Sequence, residues 1–168
     1  RSDKLPQDEI KLTSHIIGLG AVKYAELSQN RLTDYVFSWD KLLALDGNTA
    51  PYLQNAYVRI RSIFRRAEED ADTTAPILLD APAERILGLK LLQYAETIPV
   101  VLDDFRPNIL ANYLYELANT YHSFYEACPV LKASTPNLRA SRLLLSSLTA
   151  RTLSHGLSLL GIRCPEKM

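Results

Sequence analysis

Tyr52, Asn55, Arg59 and Arg66 follow one another at intervals of three, four and seven residues. Those intervals return to one side of an α-helix, so the four side chains share a face. Arg61 and Arg65 extend the positive charge sideways. A flat ring, an amide and guanidinium groups along one ridge suit single-stranded nucleic acid. The ring stacks on an unpaired base, the amide bonds a base edge and the guanidiniums neutralise phosphates. One stacked base is worth roughly 1–3 kcal/mol. A tyrosine at the edge of a core, flanked by solvated arginines, has the same spacing and on spacing alone is the commoner arrangement.

Other candidates for chemistry are weaker. His15, His122 and His155 fall on three different predicted helices, and no carboxylate stands at zinc-ligand spacing from any of them. No metal site is expected. Cys128 and Cys164 lie far apart without ligand spacing, which fits a reducing compartment better than a disulfide scaffold. Gly18-Leu19-Gly20 lacks the third glycine and the preceding strand of a phosphate loop, so it reads as a helix kink. Asp103-Asp104 reads as a solvated helix end. None of the serines has a nucleophile-elbow setting. No catalytic residue is identified.

The elements that must carry the ridge are helices. Pro6 and Asp8 open one over 7–27, with Ile10, Ile17, Ala21 and Tyr24 inward. Tyr35, Phe37 and Trp39 alternate in a short extended stretch or loop, as aromatic anchors. Asp46-Gly47-Asn48 is a turn, and Thr49 caps a helix over 50–70, with Pro51 in its first turn. Its inward stripe is Leu53, Ala56, Ile60, Ile63 and Ala67. Asp80 is expected to cap the next helix, which runs to about 96 with Ile86, Leu89, Leu92 and Ala95 inward. A short helix over 98–105 follows, then a long one over 107–127 built on Leu110, Leu114, Leu117, Tyr121 and Phe124. Thr135-Pro136 starts the last, over 136–160, and Gly161 stops it. No strand–helix alternation appears, so the expected fold is all-α: a single-domain helical bundle of six to seven helices over 1–168.

Composition agrees: 47% of the 168 residues are apolar, 23% are charged, and there are six glycines against nine prolines. The net charge of zero is unevenly spread. Residues 1–67 hold ten Lys/Arg and seven Asp/Glu; 68–126 hold three and eleven; 127–168 hold six and one. Two basic ends around an acidic middle allow one basic face. No apolar run approaches the roughly 18–20 residues that span a bilayer, and no signal-peptide pattern opens the chain. A cytoplasmic location without a membrane partner is expected. The chain begins at Arg1 without an initiator Met, which reads as a start inside a longer protein.

Several blocks resemble a known family in order and spacing. Gly20-Ala21-Val22-Lys23-Tyr24-Ala25-Glu26-Leu27 resembles the opening of the anticodon-binding domain of arginyl-tRNA synthetases. Asp34-Tyr35-Val36-Phe37-Ser38-Trp39-Asp40 is similar to the family's aromatic linker, which usually has Asp where Ser38 stands here. Gly47-Asn48-Thr49-Ala50-Pro51-Tyr52-Leu53-Gln54 resembles its most recognisable block, followed by Ala56, Arg59 and Ser62-Ile63. Asn112-Tyr113-Leu114-Tyr115-Glu116-Leu117-Ala118, Phe124-Tyr125, Arg142-Leu143, Leu159-Leu160-Gly161 and Pro165-Glu166-Lys167-Met168 are similar to its later helices and C-terminus.

The resemblance implies the helical bundle of class I synthetases and contact with the anticodon loop of tRNA(Arg), with no DNA partner. Tyr52 and Tyr125 match anticodon-loop tyrosines, and Met168 matches a terminal methionine near the anticodon. The family often has an aromatic where Asn55 stands, with Tyr57 nearby. Arg59 and Arg66 join the set from helix geometry. Phosphate contact is expected from basic arms at 59–66 and 132–167, with acidic 68–72 and 96–104 facing away. Residues 1–17 are expected to be a junction from a catalytic domain. The intact enzyme would ligate arginine to tRNA with ATP and Mg²⁺. This chain has no His-Ile-Gly-His type motif, needs no cofactor of its own and is expected to be inactive alone. The alternative is a helical protein-interaction module that binds no RNA.

Overall fold

The computed structural model describes residues 6–168, which form six α-helices and no strand. These are α1 (Gln7–Leu27), α2 (Trp39–Leu42), α3 (Ala50–Ala67), α4 (Pro82–Asp104), α5 (Pro107–Ala127) and α6 (Pro136–Leu159). The first five residues of the expected junction lie outside the described region. The rest of it, through residue 17, is part of α1, which crosses that boundary without a break.

Helix starts follow from capping chemistry. Thr49 Oγ1 accepts from the Tyr52 N–H at 3.2 Å, and Thr135 Oγ1 accepts from the Leu138 N–H at 3.2 Å. Each satisfies a donor that the first turn leaves free. A proline enters the first turn of α3, α4, α5 and α6, where its missing N–H costs nothing. The α3 helix stops at Ala67, short of the expected 70, because Glu68 turns left-handed at φ 55°.

Helix α5 is the central post of the bundle. Leu110, Leu114, Leu117, Tyr121 and Phe124 are buried on it as expected, against Leu53, Ile60 and Ile63 of α3 and Leu145, Leu153 and Leu157 of α6. Helices α5 and α6 come especially close at Gly156. A Cβ there would lie 2.5 Å from Cδ2 and 3.0 Å from Cδ1 of Leu114, which is fully buried. Gly156→Ala should therefore lose about 1–3 kcal/mol by overpacking, outweighing a propensity gain of about 1 kcal/mol. Thermal unfolding measures this, and a raised midpoint would refute the close approach.

Five expectations need correction, the first three on α4. The separate helix at 98–105 does not exist: α4 runs unbroken through Pro99. Pro99 sits on the exposed side, and Tyr94, Ile98 and Val101 continue packing past it. Asp80 is not the cap. The N-cap is Ala81, whose N–H donates to Glu84 Oε2 at 2.8 Å. The inward face is turned as well. Ile86, Leu89, Leu92 and Ala95 are exposed, whereas Glu84 and Leu87 are buried and Leu91 packs on the core. An ion pair draws Glu84 inside: its Oε1 accepts from Arg142 Nε at 2.7 Å. On α1, Ile16 is buried deeper than Ile17. The last correction concerns Tyr35, Phe37 and Trp39, which are not buried anchors, although the Tyr35 hydroxyl bonds Glu26. All three are exposed, Trp39 begins α2, and Phe37 and Trp39 meet edge to face at 4.9 Å.

Candidate nucleic-acid interface

Two helix faces converge on a groove of about 860 Å³. From α3 come Tyr52, Asn55, Arg59, Ser62, Arg65 and Arg66; from α5 come Ala118, Tyr121, His122 and Tyr125. Lys167 and Met168 close one end. Tyr52, Asn55, Arg59, Arg66, Tyr125 and Met168 were each expected at the site from sequence, and all six line this one groove. Tyr52, Asn55, Tyr125 and Met168 are half-buried, while Arg59 and Arg66 are exposed.

Each ring is held from behind. Tyr52 donates its hydroxyl proton to Asn119 Oδ1 at 2.6 Å, and its ring meets Tyr115 at 5.7 Å. Tyr125 stacks on Tyr121 with ring centroids 6.3 Å apart and planes inclined by 26°. Tyr121 is itself buried and bonds Ser146 at 3.1 Å. Burial pushes the Tyr52 hydroxyl up from its usual range, with Tyr115 adding and Arg59 opposing. The rings are thus fixed, which lowers the entropy lost when a base stacks.

Charge around the groove is one-sided. Arg59, Arg65, Arg66 and Lys167 line it, and among the described residues no Asp or Glu does. Arg66 Nε donates to Ser62 O at 3.3 Å, leaving the rest of its guanidinium available. At the rim, His122 Nε2 lies 3.3 Å from Glu126. A side-chain set of rings, amide and cations can stack, read an edge and hold phosphate. It offers no nucleophile–base pair.

The tail reaches the groove because three side chains grip its backbone. Lys23 Nζ donates to Gly161 O at 2.6 Å, Gln54 Nε2 to Arg163 O at 2.8 Å and Arg65 Nη1 to Glu166 O at 3.2 Å. Gln54 is fully buried, and Gly20 lies so close that a Cβ would stand 2.8 Å from its Nε2. That contact, rather than a kink, accounts for a glycine at that place in an unbroken α1.

The expected basic arm at 132–167 contributes less than its charge suggested. Arg139 is paired with Glu69, and Arg142 is buried against Glu84. Arg151 lines a separate trench together with Tyr57. Only Lys167 of that arm reaches the groove, and Tyr57 cannot stand in for an aromatic at Asn55 because it lies on another side of α3. Ser62, Tyr121 and His122 were missed. All were findable: Ser62 is three residues after Arg59, and Tyr121 and His122 precede Tyr125 by four and three.

Residues 53–168 match the family model described as DALR anticodon binding domain. Residues 1–39 match a model described as the catalytic domain of class I (R) tRNA synthetases. The arginine–tRNA ligase of Pseudoalteromonas atlantica is 56% identical over 100% of this chain, which covers 29% of that protein. Among solved structures, Thermus thermophilus arginyl-tRNA synthetase superposes with a TM-score of 0.89 at 34% identity, over 99% of this chain and 29% of that one. Arginyl-tRNA synthetase from Plasmodium falciparum gives 0.85 at 35% identity, over 92% and 28%. The chain therefore spans less than a third of the length of each of these three proteins.

Proposed function

The chain belongs to the DALR anticodon binding domain family, and on that premise we propose that the groove between α3 and α5 receives the unpaired anticodon-loop bases of tRNA(Arg). One observation carries the reading: two fixed tyrosines, an asparagine and unopposed cations meet in a single groove. Tyr52 and Tyr125 stack bases, Asn55 bonds a base edge, and Arg59, Arg66 and Lys167 hold phosphates. Met168 supplies an apolar contact at the end. The relatives support a wider proposal for the whole polypeptide, in which arginine is joined to tRNA(Arg) with ATP and Mg²⁺. Residues 1–17 would serve as the junction to its catalytic part. ATP chemistry is assigned to that part. None of the described helices is long and apolar enough to cross a membrane, and the cytoplasm is the proposed location, with neither membrane nor DNA as partner.

A titration of an anticodon stem-loop against the chain at increasing salt tests the groove. The affinity should fall with salt through release of counterions. Arg59→Gln/Arg66→Gln should flatten the slope by about 1.4, near 0.7 for each single-strand phosphate that is no longer neutralised. It should weaken binding to loops of any sequence alike. A salt-independent affinity, or a slope that the double substitution leaves unchanged, would refute the assignment. Equal binding of loops with other anticodons would remove specificity from this domain.

A further inference from the structure

A second concave site lies on the other side of α3, and nothing in the anticodon reading uses it. It is a trench of about 600 Å³ between α3, α4 and α6. Arg61 and Arg151 line it with Ser147, Thr152, Ser154 and Ser158, and with the rings of Tyr57, Tyr94 and His155. Ser147, Arg151, Ser154 and Ser158 follow at intervals of four, three and four, one face of α6. Among the described residues, no carboxylate lines the trench. Neither arginine has an acidic partner within ion-pair distance among those residues, whereas Arg106, Arg139 and Arg142 do. Tyr94 Oη and His155 Nδ1 lie 2.7 Å apart, which fixes the imidazole beside α4.

The buried Nε–H of Arg61 has no hydrogen-bond partner among the described residues. A guanidinium that loses water without gaining an acceptor is destabilising, and such an atom calls for an explanation. Two guanidinium forks over a row of hydroxyls make up a donor-rich surface matched to tetrahedral oxyanions. We infer that this trench is a phosphate-binding site, independent of the groove between α3 and α5. Its ligand is a phosphate monoester or diester held by Arg61 and Arg151, with the Ser147 and Ser154 hydroxyls donating to the remaining oxygens; the Ser158 hydroxyl is already given to His155 O. The site goes beyond the anticodon reading and stands or falls separately from it.

Backbone amide NMR of the chain, titrated first with inorganic phosphate and then with the anticodon stem-loop in low-salt, phosphate-free buffer, tests the site. Phosphate should shift amides around 147–158 in a saturable way, whatever it does at the separate groove. Arg61→Gln/Arg151→Gln should weaken that response by more than about tenfold, and Arg59→Gln/Arg66→Gln should leave it intact. Each single substitution, with circular dichroism to confirm folding, covers the case in which the double variant fails to fold. Absence of saturable shifts at 147–158, or a response there that survives loss of both trench arginines, would overturn the inference. If the stem-loop shifts the same amides and binds less well to the trench variant, the phosphate is a diester of the RNA backbone. If it does not, a phosphorylated small molecule is the occupant.

Discussion

Glu84→Gln should remove about 3–5 kcal/mol of folding stability, the penalty for leaving one member of a buried ion pair without its partner. The Glu84 side chain is wholly buried, and that of Arg142 is 11% exposed. One carboxylate oxygen takes Arg142 Nε at 2.7 Å and the other takes the Ala81 N–H at 2.8 Å, while Arg142 Nη1 donates to Pro129 O at 2.9 Å. The pair thus ties the start of α4 to α6 and to the loop between α5 and α6. Glutamine keeps the volume but removes the charge, so the guanidinium stays buried and uncompensated. Urea unfolding should show a lower midpoint at an unchanged slope. Replacing both residues by apolar ones, Glu84→Leu with Arg142→Met, should recover much of the loss, because no charge then remains in the core. A loss under about 1 kcal/mol for Glu84→Gln would mean that water reaches the pair.

The second large effect is on RNA. Tyr52→Ala and Tyr125→Ala should each weaken stem-loop binding by about 1–3 kcal/mol, the worth of one stacked base. That range runs from several-fold to more than a hundredfold in affinity. Both rings are half-buried, so truncation also costs some packing. Tyr52→Phe separates the two contributions. It keeps the stacking face and removes only the hydroxyl that meets Asn119. It should lower the melting temperature slightly and leave affinity near that of the parent. Fluorescence anisotropy with a labelled stem-loop measures binding, and thermal unfolding measures the packing cost. If Tyr52→Ala binds normally, or if Tyr52→Phe weakens binding as much as Tyr52→Ala, base stacking on that ring is excluded.

The places where sequence and structure part share a cause. Helix ends were legible wherever a local signal sets them, as at Thr49 and Thr135, whose hydroxyls cap as expected. The α5 core stripe was legible because an all-apolar i, i+3, i+4 series admits one inward face. On α4 the apolar residues occur on more than one side, and the face was decided by a charge. Glu84 is inside because Arg142 is there, 58 residues away. Hydrophobic periodicity contains no information about such a pair. The groove is legible on α3 because its ridge returns at helical spacing, and on α5 Tyr121 and His122 share the face of Tyr125 by the same spacing. Linear charge blocks misled for a related reason. Arg139, Arg142 and Arg151 are close in sequence and have three separate fates in space.

The grip of Lys23, Gln54 and Arg65 on the last stretch of chain falls on carbonyl oxygens of the residues held. Every amino acid carries that atom, so the path is guaranteed by the gripping residues and is blind to what hangs from Arg163 or Glu166. Substitutions at the neighbouring Lys167 and Met168 therefore change what lines the groove without moving the backbone that carries them. The tip that reaches the groove is thus tolerant of replacement, while a change at Lys23, Gln54 or Arg65 would release the path itself.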